Sequence, residues 1–388
     1  MSIKIAILGS TGSIGTTTVN IIKKNIKDFK VIFLSTNNNV IKIYHQAIDL
    51  KVKNVIIINK KKYLRYKQKF IKKKIKVFHD HSEIKKIIKK KNDYTMCSIS
   101  GLSGLKPTLE AIKYSKTVGI ANKESIICSW NIIKKKLKKN KTNFIPIDSE
   151  HFSIWSLINN VNKASIEEII LTASGGPFLN KTTKSLKNIN PKDAIKHPNW
   201  SMGKKISIDS ANMMNKVFEV IEAHRLFKFD KSKYKIMIHP QSYVHSIIRF
   251  KNGLIKMILY NTDMKIPISN TLYKSKKNVL KTSNVEIKHI NNLNFQKVNS
   301  KTFPSIKLLN KCFTLGLSTP IIINAANEVL VDLFLKGKIE FLDIVKMINR
   351  ILRDQDFKKY AKRNASSVKG IKIIDNWARL KTISMCVI

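Results

Sequence analysis

The string Gly9-Ser10-Thr11-Gly12-Ser13-Ile14-Gly15 directly follows the apolar run Ile3-Lys4-Ile5-Ala6-Ile7-Leu8 and opens a helical pattern. A strand that passes through such a string into a helix reads as the first βα unit of a dinucleotide-binding sheet. The glycines permit a tight turn and a close approach to a pyrophosphate, whose charge is met by the amides at the helix start. An ordinary βα turn is the competing reading. Further apolar runs at 31–34, 55–58, 94–99, 117–121 and 144–147 alternate with amphipathic segments. The rhythm predicts an α/β fold with an N-terminal Rossmann-like, doubly wound sheet over residues 1–150.

The remainder changes character. Apolar strands at 168–173, 235–239, 245–250 and 254–259 surround a helix expected over 210–227, which predicts a central α+β catalytic domain over 151–273. Residues 274–299 are polar and weakly periodic and read as a connecting segment, while 300–388 regain helical spacing and predict a small C-terminal helical domain.

Composition contributes one puzzle. The 73 Lys and Arg against 25 Asp and Glu leave a net charge of +48, which alone would indicate nucleic acid or an anionic surface. Lys, Asn and Ile are abundant while Gly (13) and Pro (9) are scarce, the pattern of drift toward AT-rich codons. The lysine runs favour drift. In the segment 84–91, Ile84, Ile87 and Ile88 share one helical face and the lysines take the other, and no aromatic residues interleave with them as a base-stacking platform requires. No specific nucleic-acid partner is expected. Cys97, Cys128, Cys312 and Cys386 lie far apart without C-x-x-C spacing, so neither a zinc site nor a disulfide framework is expected. No signal or transit peptide is recognisable, and no apolar run approaches the roughly 18–20 residues of a membrane span, so a cytoplasmic protein is expected.

Candidate site residues cluster behind predicted strands. Ser35-Thr36-Asn37-Asn38-Asn39 closes the second strand, where a carboxylate would bind the ribose of NAD and repel a 2′-phosphate; the string is neutral, so NADP is allowed. Asp148 and Glu150 follow the run 144–147 and, two apart on an extended strand, would point to one side, with oxygen ligands suited to Mg²⁺ or Mn²⁺. Glu219 could complete the shell while Ser210, Asn215 and Lys216 hold an anion; a solvated helix face is the alternative. The irregular stretch of about 175–205, with His197, Trp200 and Met202, is a candidate lid. A structural loop around a buried Trp competes with that reading. His239 and His245 read as structural histidines.

Together these segments, with Ala121-Asn122-Lys123-Glu124-Ser125, Asp148-Ser149-Glu150-His151, Ser174-Gly175-Gly176-Pro177-Phe178, His197-Pro198-Asn199-Trp200-Ser201-Met202-Gly203, Met213-Met214-Asn215-Lys216, His239-Pro240-Gln241-Ser242 and Asn324-Ala325-Ala326-Asn327-Glu328, resemble the 1-deoxy-D-xylulose 5-phosphate reductoisomerases over nearly the whole chain. The resemblance implies an NADPH- and metal-dependent homodimeric enzyme of the non-mevalonate isoprenoid pathway. The metal is Mg²⁺ or Mn²⁺, with Co²⁺ a further candidate, and 151–273 serves metal binding and dimerisation. It assigns Thr11, Gly12, Ser13, Ile14, Asn39, Asn122, Glu124 and Gly203 to the nucleotide, with Asn37 and Asn38 in the same string. It assigns Asp148, Glu150 and Glu219 to the metal, and Lys123, Ser149, Ser174, His197, Ser210, Asn215 and Lys216 to the sugar phosphate. Lys123, His197 and the three carboxylates are the catalytic candidates.

The chain departs from the family's usual pattern at several positions. Asn37-Asn38 stands where the family usually has Gly-Lys, and loss of that lysine predicts a weakened preference for NADPH over NADH. Ala173 replaces a usual glycine and Arg225 a usual aromatic. The rival readings are a basic nucleic-acid-binding protein on a Rossmann scaffold and another NADP-dependent dehydrogenase. A semialdehyde dehydrogenase would need a catalytic cysteine, and neither Cys97 nor Cys128 stands in a fitting motif.

Overall fold

The computed structural model describes residues 2–386 except 183, 201, 274–281, 283 and 284. Thr183 and Ser201 of the expected lid, and much of the expected connecting segment, therefore lie outside the described residues. The chain divides into two compact units: Met1–Ser125, Asn131–Phe152 and Met264–Thr282 form the first, and Ile126–Trp130, Ser153–Asp263 and Ser283–Ile388 the second.

The first unit holds a parallel sheet of β1 (Ile3–Leu8), β2 (Phe29–Thr36), β3 (Asn54–Ile57), β4 (Lys76–Phe78), β5 (Asn92–Cys97), β6 (Ser115–Ile120) and β7 (Asn143–Pro146). Their order, β4-β3-β2-β1-β5-β6-β7, reverses at β1 and opens a crevice at the carboxyl ends of β1 and β5. Ile5, Ile7, Leu34, Val55 and Ile57 fill its core, every one of them buried. Strand β4 escaped the sequence reading because three residues are too few to show a period. The segment expected to be helical through Lys91 is helical only over Ile84–Ile87; Ile88 is extended and buried as the chain turns toward β5. The sequence pattern groups residues 264–273 with the central domain. Their helix, Lys265–Leu272, instead belongs to the first unit: Ile268 and Leu272 enter its core and the Tyr273 hydroxyl donates to Asp28 at 3.0 Å.

The second unit contains a mixed sheet, β11-β10-β8-β9-β12, of β8 (Ile166–Ala173), β9 (Tyr234–Ile238), β10 (Val244–Phe250), β11 (Ile255–Leu259) and β12 (Gln296–Lys297). Only β8 and β9 run parallel. Val220, Ala223 and Phe227 of the helix Met214–Phe227 bury against Ile169, Leu171 and Ile248 of this sheet. Strand β12 lies inside the segment expected to be a plain connector, paired antiparallel with β9. Toward the C-terminus Thr319–Leu335 packs on Asp343–Ile351 and Val368–Cys386.

The helix expected over 210–227 is two helices, Lys204–Ala211 and Met214–Phe227. Asn212 separates them: its side chain accepts from the Met214 amide at 2.9 Å, and Met213 adopts a left-handed conformation with φ of 64°. Short polar side chains that bind nearby amides compete with helix continuation, and here the competition wins. Ser210 consequently sits in the last turn of the first helix.

At the β1 turn, Gly9 has φ of 80°, and a Cβ on Gly15 would stand 2.2 Å from the Gly9 carbonyl oxygen. Gly15→Ala must therefore push strand and helix apart, and overpacking of this kind costs about 1–3 kcal/mol. A lowered urea midpoint with unchanged slope is the expected result for that variant.

Candidate active site

The nucleotide end is built at the mouth of β1. The Gly9 amide donates to Ser35 Oγ at 3.0 Å, and Ser10 exchanges side-chain and backbone hydrogen bonds with Gln46 at 2.8 and 2.9 Å. The turn is thus locked from β2 and from the helix Val40–Asp49. Thr11 Oγ1 lies 2.8 Å from Thr36 Oγ1. Gly12 caps the helix Ser13–Lys24 without a side chain, and no acid stands in the first turn. A Cβ on Gly12 would meet nothing nearer than the Gly9 carbonyl oxygen at 3.5 Å. The Gly12 amide closes the turn by donating to the Gly9 carbonyl oxygen at 3.1 Å. A helix start without acid beside free space is what a pyrophosphate needs, so these residues fit a dinucleotide.

Asn37, Asn38 and Asn39 are exposed behind β2, and Asn39 Oδ1 accepts from the Lys42 amide to start the next helix. Asn122 is buried: its Oδ1 caps the helix Lys123–Lys139 through the Ser125 amide at 2.7 Å, and its Nδ2 donates to Gly101 O at 2.7 Å. Glu124 accepts from the Gly101 amide at 3.4 Å. Both residues anchor the loop behind β5.

The carboxylate end follows β7, but not on a strand as expected. The strand stops at Pro146 and the helix Ser149–Leu157 begins at once, with the Asp148 carbonyl oxygen accepting from the Phe152 amide at 2.8 Å. Asp148 thus occupies the cap position and Glu150 the first turn, where the helix dipole favours negative charge. Ser149 Oγ donates to Glu150 Oε2 at 2.6 Å. Lys123, only 8% exposed, puts its ammonium 3.2 Å from Asp148 Oδ2. On the other side His151, fully buried, has Nδ1 3.3 Å from Asp148 Oδ1. Hard oxygen donors at this density fit Mg²⁺ or Mn²⁺.

In the second unit Ser174 stands in the turn after β8, His197 in a loop, Ser210 on the helix Lys204–Ala211, and Asn215, Lys216 and Glu219 on the helix Met214–Phe227. The Ser174–Gly176 turn lies on the end of the helix Lys204–Ala211, where a Cβ on Gly176 would meet Ser210 O at 3.0 Å. Ser174 Oγ accepts from the Gly176 amide at 3.0 Å and lies 2.9 Å from His197 Nε2. The amides of Asn199 and Trp200 both donate to His197 Nδ1, at 3.1 and 3.0 Å. That fixes the tautomer: the proton sits on Nε2, pointed at Ser174. Burial, and then the Lys216 ammonium, push the His197 pKa down to about 4. Lys216 is ion-paired to Glu219, and Asn215 Nδ2 donates to the same carboxylate at 2.5 Å. Lys216 and Glu219 are buried, not on the solvated face that was the alternative.

Gly203 starts the helix Lys204–Ala211 with nothing within 4 Å of a Cβ built on it. Asn199 Nδ2 donates to Pro240 O at 2.6 Å and Ser242 Oγ at 2.9 Å, and the Trp200 ring meets His245 edge-on at 5.8 Å. The expected lid is therefore pinned near its C-terminal end, at Asn199 and Trp200. A cavity of about 650 Å³ adjoins Ser174, walled by Pro177, Leu179, Pro198 and Pro240. His239 is satisfied, its Nδ1 2.9 Å from Asn294 O and its Nε2 accepting from the Tyr243 amide at 3.2 Å.

Sequence reasoning missed several contributors. Gln46, Asn199 and His151 act through hydrogen bonds and contacts whose partners are distant in sequence or carry no pattern. Asp209, nearly fully buried, is held by Asn327 Nδ2 at 2.7 Å and Lys205 at 2.8 Å and fixes the helix that carries Ser210.

Comparison with known proteins covers the same ground. Three family models match: 1-deoxy-D-xylulose 5-phosphate reductoisomerase over residues 5–129, its C-terminal domain over 144–227, and the DXP reductoisomerase C-terminal domain over 259–381. The 1-deoxy-D-xylulose 5-phosphate reductoisomerase of Pelagibacter ubique is 48% identical over 386 residues, 99% of this chain and 100% of that one. A solved reductoisomerase from Zymomonas mobilis in complex with NADPH has a TM-score of 0.91 and 32% identity, covering 100% of both chains. A second, in complex with NADPH, fosmidomycin and magnesium, has a TM-score of 0.91 and 31% identity over 99% of this chain and 98% of that chain. On matches that span both units, this chain belongs to the 1-deoxy-D-xylulose 5-phosphate reductoisomerase family.

Proposed function

We propose that the chain rearranges 1-deoxy-D-xylulose 5-phosphate and reduces the product to 2-C-methyl-D-erythritol 4-phosphate, using NADPH and a divalent metal, within the non-mevalonate isoprenoid pathway. Family membership carries the activity. One observation carries the site assignment: in a chain with only 25 acidic residues, Lys123 pairs with Asp148 and Lys216 with Glu219. The two lysines assigned to substrate thus lie on two of the carboxylates assigned to metal. Family membership disfavours both rival readings, the nucleic-acid-binding protein and the unrelated dehydrogenase.

Asp148, Glu150 and Glu219 would hold the cation. When bound, the metal supplies Lewis-acid polarisation of the substrate's carbonyl, and NADPH supplies the hydride that completes the reduction. A cation that takes up carboxylate charge leaves the ammonium groups of Lys123 and Lys216 available to substrate oxygens. Lys123, held in a dry position, then steadies negative charge developing on oxygen. Ser174, Ser210, Asn215 and Lys216 hold the phosphate, and the neutral His197 offers its Nε2 proton to the same anion. Ser149 orients Glu150. The amides of Thr11, Ser13 and Ile14 receive the pyrophosphate at the turn that Gly12 closes, with Asn37, Asn38, Asn39, Asn122, Glu124 and Gly203 bounding the rest of the cofactor. Trp200 and Met202 close over the substrate and exclude water.

We further propose that the enzyme works as a homodimer in the cytoplasm. Edge strand β11 exposes Ile255 and Met257, at 56% and 40%, with Leu254 just before it, which suits pairing with a second copy. Cys97, Cys128 and Cys312 are free and buried, as a reducing compartment allows. Among the described residues no helix is long and apolar enough to cross a membrane.

The function is tested by NADPH oxidation at 340 nm with 1-deoxy-D-xylulose 5-phosphate: chelation by EDTA is expected to abolish turnover and added Mg²⁺ or Mn²⁺ to restore it, whereas full metal-free activity would refute the mechanism. Glu219→Gln is expected to lower kcat at least about 100-fold, the scale typical of removing one charge-stabilising group.

His197 supplies a pH prediction. Its pKa is near 4 in the folded protein against 6.5 ordinarily, so the unfolded chain takes up this proton first as pH falls. The stabilising contribution is complete above pH 6.5 and declines toward pH 4. Guanidinium unfolding at pH 7 and pH 5 should show a smaller acid loss for His197→Gln than for the parent; equal losses would refute the assignment.

For the dimer, Ile255→Glu together with Met257→Lys is expected to halve the mass measured by light scattering, and an unchanged mass would exclude β11 as the interface.

A further inference from the structure

The string behind β2 lacks the lysine expected at position 38, yet one cation reaches it from another element and a second reaches the glycine turn, whose Thr11 hydroxyl touches Thr36 at the end of β2. Lys62, in the first turn of the helix Lys60–Ile71, places Nζ 2.7 Å from the Asn38 carbonyl oxygen. Lys42, in the first turn of the helix Val40–Asp49, places Nζ 3.2 Å from the carbonyl oxygen of Thr11 in the glycine turn. Asn59 fastens the first of these in place: its amide donates to Asn37 O at 3.3 Å, its Nδ2 to Asn38 Oδ1 at 2.8 Å, and its Oδ1 accepts from the Lys62 amide at 3.0 Å. Among the described residues neither ammonium has a carboxylate within ion-pair distance.

An ammonium resting on a peptide carbonyl keeps its full charge and two further N–H donors. The end of β2 is where a Rossmann sheet meets the adenosine ribose, so an uncompensated cation there, with a second on the adjoining glycine turn, attracts an anionic 2′-substituent and offers nothing comparable to a hydroxyl.

We propose that Lys62, assisted by Lys42, is the clamp for the adenosine 2′-phosphate of NADPH in this chain, in place of the lysine missing at Asn38. The proposal rests on the NADPH reading above and concerns only how that cofactor is told from NADH. It reverses the expectation, drawn from Asn37-Asn38 alone, of a weakened preference.

Calorimetric binding of 2′,5′-ADP and of 5′-ADP to the full-length protein, without metal or substrate, separates the possibilities. Lys62→Gln should weaken 2′,5′-ADP about tenfold or more while leaving 5′-ADP unchanged, the scale of a lost charge-assisted contact. Lys42→Gln should act in the same direction, Lys62→Arg should retain most of the discrimination, and Asn38→Lys should restore it in the Lys62→Gln background. The NADPH over NADH ratio of kcat/KM should follow the same order. Equal weakening of both nucleotides by Lys62→Gln would mark Lys62 as a support for the loop and overturn the proposal, as would no change in either. If the parent enzyme oxidises NADPH with the sugar phosphate but Lys62→Gln discriminates as it does, the clamp fails and the activity stands. A parent that neither binds 2′,5′-ADP nor oxidises NADPH overturns the clamp and the cofactor reading together.

Discussion

Lys216 and Glu219 lie one helical turn apart with 4% and 1% of their surface exposed, and neither could be buried alone. An isolated charge in such a place would shift its protonation or destabilise the fold by several kcal/mol, on the order of 3–5 when one partner of a buried pair is removed. Much of the second unit's site depends on that pair. The left-handed Met213 restarts the helix so that Asn215, Lys216 and Glu219 share a face, and Asn215 donates to the carboxylate. Burial, and then the nearby Lys216 ammonium, keep His197 neutral, and two backbone amides on Nδ1 direct its proton to Ser174. Lys123 and Asp148 repeat the arrangement in the first unit. Both pairs store a cation against a carboxylate that a divalent metal can claim, which leaves the lysines to bind oxyanions.

The legible parts of the chain are those with local causes. Strand β1 is readable with its observed limits because six residues of apolar pattern run into a glycine turn that only a few geometries accept. The carboxylates proposed to hold the metal are legible as residues but not in their geometry: Asp148 and Glu150 stand as cap and first turn of a helix, not as alternate positions on a strand. Nothing in Asp148-Ser149-Glu150-His151 distinguishes the two conformations by period alone, since four residues serve either one. The break at Asn212 has a visible signal, a residue that binds its neighbours' amides, which an unbroken apolar pattern around it conceals. The supports of Ser10, Asp148 and Ser210, namely Gln46, His151 and Asp209, act through tertiary packing or contacts without periodicity and leave no sequence signal.

The net charge of +48 illustrates how composition and site chemistry interact. Most lysines sit on the exposed surface, on helix faces and in turns and loops, where a further positive charge is nearly free because water and salt screen it. Drift that scatters lysine in this way also supplies cations wherever an anion is bound nearby. A family lysine at position 38 can then be lost without loss of its task, since Lys62 already stands at the same string and Lys42 at the adjoining glycine turn, on helices whose own starts are capped by Asn59 and Asn39. Acidic residues follow the opposite logic. In a chain this poor in them, a carboxylate that stays buried beside a lysine has a use that drift cannot replace. Glu219 and the half-buried Asp148 therefore draw notice in so acid-poor a sequence, while the 2′-phosphate clamp, made from the commonest charged residue, is hidden among its many copies and emerges only where the fold brings Lys62 to the end of β2 and Lys42 to the glycine turn.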